Sequence, residues 1–127
     1  MIDALFSTAN YVGAKKLLDA TSLRQEAIAS NLANLETPHY KRLDVAPSFS
    51  AELSQVVASQ DPARIAGLQP QMAVDTAATS QRRDGNTVQL EGELMKLNQN
   101  FLEHHLETQL VTGNLLRLRL AILGRAV

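Results

Sequence analysis

The sequence predicts an all-α fold: long N- and C-terminal helices pair as a coiled-coil-like hairpin around a short irregular middle segment. Three observations lead there. Leu90, Leu94, Leu97, Phe101, His104, Thr108, Val111, Leu115, Leu118 and Ile122 step by alternating fours and threes, the spacing that keeps one helix face against a partner helix. A second stripe opens the chain with Ile2, Leu5, Phe6, Ala9, Val12 and Gly13. It continues through Leu17, Ala20, Leu23, Ala27, Ile28, Leu32 and Leu35. Aromatic residues make up only 4% of the chain, so Ala and aliphatic side chains carry the apolar content, which suits helix-on-helix packing.

At 127 residues one domain is the expectation, in three parts: 1–42, 43–86 and 87–127. The first is a helix with its exit, the second irregular, the third a long helix. In the first part Asp3 is the expected N-cap, and Pro38 forces the end near Thr37. Gly13 is the weak point, at about 1 kcal/mol against Ala in a helix interior. In the middle, Phe49, Leu53, Val56 and Val57 predict one short amphipathic helix starting near Pro47. Pro62, Gly67, Pro70 and Gly85 then break the chain, with one extended stretch expected at Met72–Val74. Asp84, Gly85 and Asn86 signal a turn, and Asn86 with Gln89 loosely resembles a capping box.

The last helix, about 33 residues long, would extend on the order of 50 Å, beyond the roughly 30 Å of a compact domain this size. It needs a partner. Leu102, Leu106, Gln109, Gly113, Leu116, Leu120 and Leu123 form a second stripe on it. Two apolar seams imply neighbours on two sides. The first seam is expected against Leu17–Leu35 of the same chain and the second against other molecules. The assembly candidates are therefore Leu94, Leu97, Phe101, Leu102, Leu106, Val111, Leu115, Leu116, Leu118, Leu120 and Ile122. Glu91 and Glu93 at the start, and Arg117, Arg119 and Arg125 at the end, complement the macrodipole. Gly113–Asn114 is where a kink is expected.

A formal charge of −1 and a pI near 6.3 draw the chain to neither nucleic acid nor an acidic membrane surface. Lys15–Lys16, Lys41–Arg42 and Arg82–Arg83 are short basic pairs without interleaved aromatics. There is no cysteine, which excludes disulfides and thiolate chemistry. No apolar run approaches the roughly 20 residues of a membrane span. The first residues lack a basic head and a long apolar core, so no cleaved secretory signal is expected. The three histidines, His39, His104 and His105, stand in no chelating helical pair. His104 reads as a register-setting polar residue beside Thr108, and Glu103 with Glu107 as a solvated face. With no phosphate loop or nucleophile elbow, the expectation is a protein without catalytic activity, cofactor or metal.

The most informative stretch is Asn31-Leu32-Ala33-Asn34-Leu35-Glu36-Thr37-Pro38-His39-Tyr40-Lys41-Arg42. Asn31 and Asn34 share a face, where their amides can bond across a bundle or to carbonyls near the helix end. Thr37–Pro38 stops the helix. Tyr40 brings an apolar ring with a polar tip, and Lys41 and Arg42 lie just past the negative helix end. Asn31, Ala33, Asn34, Thr37, Pro38, Tyr40, Lys41 and Arg42 together resemble the N-terminal signature of the flagellar basal-body rod protein family and its hook relatives. The stretch from Asp84, Gly85, Asn86 and Val88 through Leu90, Glu93, Leu94 and Met95 resembles the start of the C-terminal helix in the small proximal rod subunits. The likeness covers roughly 1–42 and 84–127. In place of the glycine common between proline and tyrosine in that family, this chain has His39, which a positive φ would strain.

The resemblance implies a structural subunit of the bacterial flagellar rod in the periplasm, linking the motor base to the distal rod and hook. It implies other rod and basal-body subunits as partners, copies of the chain itself among them. It also implies passage through the flagellar type III export apparatus without a cleaved signal. The other reading of the same seams is a soluble helical-hairpin adaptor or export chaperone that binds partner helices.

Overall fold

The computed structural model describes residues 8–124. The chain is mostly helical, with long helices at both ends. In order the elements are α1 (Ala9–Ala33), β1 (Leu43–Val45), α2 (Ser48–Ala58), α3 (Pro62–Gly67), β2 (Met72–Val74) and α4 (Leu90–Leu123). Ile2, Asp3, Leu5, Phe6 and Arg125 lie outside the described residues.

Thr8 caps α1, its hydroxyl accepting from the Tyr11 N–H at 3.4 Å. The helix runs unbroken through Gly13, its weak point by propensity. A Cβ on Gly13 would stand 3.3 Å from Val57 Cγ2. The glycine therefore lets α2 lie close against α1, and its propensity penalty is spent on packing. Exit comes at Ala33, four residues before Thr37. The Asn34 side chain donates to the Ser30 carbonyl at 2.9 Å, and its backbone N–H reaches Ser30 and Asn31. A side-chain amide competing for these carbonyls ends the helix before Pro38 is reached.

The middle is more ordered than its composition suggested. Phe49 and Leu53 anchor α2 one turn apart. Asp61 caps α3 by accepting from the Ala63 and Arg64 N–H groups, with Pro62 in the first turn, where a missing N–H does no harm. The extended stretch at Met72–Val74 pairs antiparallel with β1, Leu43 opposite Val74 and Val45 opposite Met72. This small ribbon adds two short strands to the helical fold. Periodicity could not reveal a three-residue strand.

Ala9, Ala20, Val45, Phe49, Leu53 and Ile65 form the apolar core, on the side of α1 that faces the middle segment. The last helix packs elsewhere, antiparallel along α1, from Asn31 beside Glu93 to Thr21 beside Glu107. It starts after Gln89, which makes no side-chain cap, so the expected capping box is absent. The helix continues through Gly113–Asn114 and stops at Gly124, whose φ of 65° and N–H bond to the Leu120 carbonyl form a left-handed cap.

Candidate assembly site

The helix-exit stretch folds into a polar knot that joins all three parts of the chain. Asn31 is fully buried. Its amide donates to the Leu43 carbonyl at 2.9 Å and to Glu93 Oε2 at 3.1 Å, and its oxygen accepts from the Leu43 N–H at 2.8 Å. One side chain thus fixes α1, β1 and α4. The Tyr40 hydroxyl sits 2.9 Å from Ser30 Oγ and donates to Asn31 Oδ1 at 3.4 Å. The turn is folded back on the helix it leaves.

Arg42 lies at the knot's centre, its side chain 4% exposed. Nε donates to Glu93 at 2.5 Å, while Nη1 contacts Asp75 at 2.6 Å and Asp44 at 2.9 Å. Its backbone N–H donates to Thr87 Oγ1 and its carbonyl accepts from Asp75. Burial opposes the guanidinium charge, but hydrogen bonds to Glu93 and Asp44 hold its pKa above the ordinary value. Arg42 was expected just past the negative end of the first helix. It is buried because Asp44 in β1, Asp75 just past β2 and Glu93 in α4 converge on it. Lys41 does lie at the surface, donating to the Gly85 carbonyl at 3.1 Å.

Asn86 does not serve its own helix. Its amide donates to the carbonyls of Asn34, Leu35 and Thr37 at 3.0, 3.1 and 2.8 Å. The residue read as a possible cap for α4 closes the end of α1. Its oxygen accepts from the Val88 N–H at 2.7 Å, so the chain leaves toward α4 in a fixed direction. Asp84 accepts from the His39 N–H at 2.9 Å. His39 adopts φ 60° and Gly85 φ 74°, so the positive φ considered for position 39 is present. A Cβ on Gly85 would stand 3.0 Å from the His39 ring. Thr37 donates to Asn34 Oδ1, whereas Ala33 and Pro38 are exposed.

The pairing face of α4 corrects the seam expected from periodicity. Its buried residues are Glu93, Asn100 and Glu107, seven apart, and no aliphatic side chain of α4 is among them. Asn100 donates to the Thr21 carbonyl at 3.0 Å and to Gln25 at 3.1 Å. Glu107 accepts from the Thr21 hydroxyl at 2.8 Å, and Glu103 pairs with Arg24 at 3.0 Å. Glu107 is therefore no solvated partner of Glu103. Burial pushes its carboxyl above the ordinary range, opposed by the Thr21 hydrogen bond and aided by Glu103. His104 stands 3.1 Å from Thr21 Oγ1. The Thr108 hydroxyl donates to the His104 carbonyl and does not pair with the ring across a seam.

Leu90, Leu94, Phe101, Leu115 and Ile122 were expected against α1 but are exposed. Leu97, Val111 and Leu118 are half-buried. Leu102, Leu106, Leu116 and Leu120 are exposed too, with Phe101 and Leu102 each at 68%. Polar hydrogen bonds hold the hairpin together and leave most of both apolar seams facing outward. The heptad of polar residues Glu93, Asn100, Glu107 and Asn114 was legible, but the aliphatic heptad alongside it drew the eye. Asp44, Asp75 and Thr87 carry no motif of their own, and only the fold reveals their convergence.

A family model described as "Flagella basal body rod protein" matches residues 18–41, which end inside the knot. Similar proteins include the flagellar basal body rod protein FlgB of Borreliella burgdorferi, 29% identical, covering 73% of this chain and 80% of that protein. The protein of the same name from Borrelia hermsii is also 29% identical, covering 76% of this chain and 83% of the relative. Over residues 18–41 and along most of its length, the chain is thus similar to flagellar basal-body rod proteins. The matched stretch supplies Arg24, Asn31, Asn34 and Tyr40, side chains that tie the first helix to the last and to the turn. Among the described residues, no group of three His, Asp or Glu side chains is placed to hold a metal ion, and no helix is long and apolar enough to cross a membrane.

Proposed function

We propose that this chain is a structural subunit of the bacterial flagellar basal-body rod, without catalytic activity, built to be completed by neighbours. One observation carries the reading. The long α4 turns polar residues toward its own partner helix and leaves Met95, Phe101, Leu102 and Leu106 bare, each more than 60% exposed. Further bare positions at Leu110, Leu116, Leu120 and Leu123 extend the surface along the helix. A contiguous apolar face of this length marks an interaction surface.

The partners are other rod and basal-body components, with copies of the chain among them. The family motif residues hold the hairpin in register, so that both seams are presented along one straight helix. Passage through the flagellar type III export apparatus belongs to the same proposal. A polar-paired hairpin with a small core is weakly held when alone, since helix stability comes mostly from packing.

Imaging basal bodies from cells lacking this chain tests the proposal. Rods absent or truncated at the base are the expected result. Complete rods and normal swimming would contradict it, and would favour an adaptor that lends its seams to partner helices without joining the structure.

A further inference from the structure

Beside the polar pairing line, α1 and α4 enclose an open groove of about 620 Å³. Ala29, Leu97 and Phe101 supply its apolar wall, Glu26 its charge, and Asn100 and His104 part of its lining. Asn100 is 2% exposed, and its Oδ1 is buried with no hydrogen-bond partner. The groove carries an apolar wall and one carboxylate, and among the residues lining it there is no Lys or Arg.

The complement lies on the same helix. From Thr108 to Gly124 the only charged residues are Arg117 and Arg119, both exposed, and neither has an ion-pair partner among the described residues. Leu116, Arg119, Leu120 and Leu123 fall at i, i+3, i+4 and i+7, on one exposed face. Leu97, Asn100, Phe101 and His104 have the same spacing, 19 residues earlier. On a straight helix that offset is about 28 Å, so one copy cannot bring its own strip to its own groove. Two parallel copies offset by this distance set Arg119 level with Asn100 and Leu120 level with Phe101.

We propose that the groove beside Asn100 receives the Leu116–Leu123 face of a second copy of this chain, with Arg119 supplying a counter-charge to Glu26. The inference rests on the rod reading and names its contact. Groove and strip are different surfaces, so each copy keeps one of each free. Such a head-to-tail contact extends without closing on itself unless a rotation brings it round. Charge complementarity singles out this occupant: the groove is acidic and the strip purely basic.

The chain has no cysteine, which makes a cross-linking test clean. Asn98→Cys with Leu120→Cys, introduced together into the full chain, should give a ladder of disulfide-linked multimers when basal bodies are oxidised. Glu52→Cys with Leu120→Cys, placed on the α2 side, should give none. Glu26→Arg or Arg119→Glu alone should cut the cross-linked yield by about fivefold, the size of a favourable exposed ion pair. The combined charge swap should restore it.

Rods that assemble and swim with the Asn98–Leu120 pair, yet yield no ladder, would overturn the groove contact and leave the rod reading intact. A cross-link from position 98 to a different protein alone would overturn the second-copy occupant. Failure of the combined swap to restore yield would overturn the Arg119–Glu26 pairing. Absence of the chain from basal bodies would instead sink the rod reading itself.

Discussion

Arg42 and Glu93 make the sharpest case for what single residues do here. Glu93 is 1% exposed, and removing its cation leaves a buried charge without compensation. Arg42→Met should therefore destabilise the chain by about 3–5 kcal/mol, against a total of about 5–15 kcal/mol for a domain. Urea denaturation measures this, and a loss below about 1 kcal/mol would mean the knot is not structural. His39 is the opposite case. Its positive φ is unfavourable for any residue with a Cβ, so His39→Gly should stabilise by about 1 kcal/mol. Gly85→Ala should destabilise, because it adds both backbone strain and a contact with the His39 ring.

Two carboxylates should respond oppositely to pH. Burial by itself raises the Asp44 carboxyl, but Arg42, the Val45 N–H and Arg24 hold it below its ordinary value. Its stabilisation is present above the ordinary carboxylate range and is lost as pH falls through the lowered folded value. Burial raises Glu107 above its ordinary value. Its contribution is present below that ordinary value and is lost as pH rises through the raised one. Glu107→Gln should therefore raise the Tm at neutral pH and lose that gain in acid below the carboxylate range. An equal Tm shift at both pH values would show that ionisation is not involved.

At the scale of elements, the two long helices, the helix after Pro47 and the extended Met72–Val74 were legible, while the first helix ended four residues before the stop expected from Pro38. Each legible element has a local cause: an apolar period, a proline at a helix start, or a short stretch set between helix-breaking residues. The face that α4 turns inward was not legible. Leucine at heptad spacing implies burial but does not say by which molecule, and here polar side chains seven apart take the intramolecular contact. A polar seam fixes register at some expense in stability. Asn100→Leu should thus raise the Tm of the isolated chain while loosening the pairing of α4 with α1. Hydrogen exchange at Thr21–Gln25 would report the loosening, and unchanged protection would contradict it. Asn86 was invisible for a related reason: nothing in its neighbourhood says that its amide reaches back to a helix ending some fifty residues earlier.

For the whole molecule, the account divides labour between two surfaces. The small core and the polar knot give the hairpin one shape. The outer seams of α4 give that shape somewhere to go. A mutation on the outer seam should consequently leave the isolated chain nearly unchanged and disable the assembly. Leu106→Ala removes a side chain that touches little in one copy but would be buried among several. Truncation of a buried leucine costs about 2–5 kcal/mol.

The most direct measurement pairs circular dichroism of the purified Leu102→Glu/Leu106→Glu chain with imaging of basal bodies from cells carrying it. The account predicts helix content equal to that of the unaltered chain, together with missing rods and lost motility. Intact rods and normal swimming with both glutamates in place would contradict it.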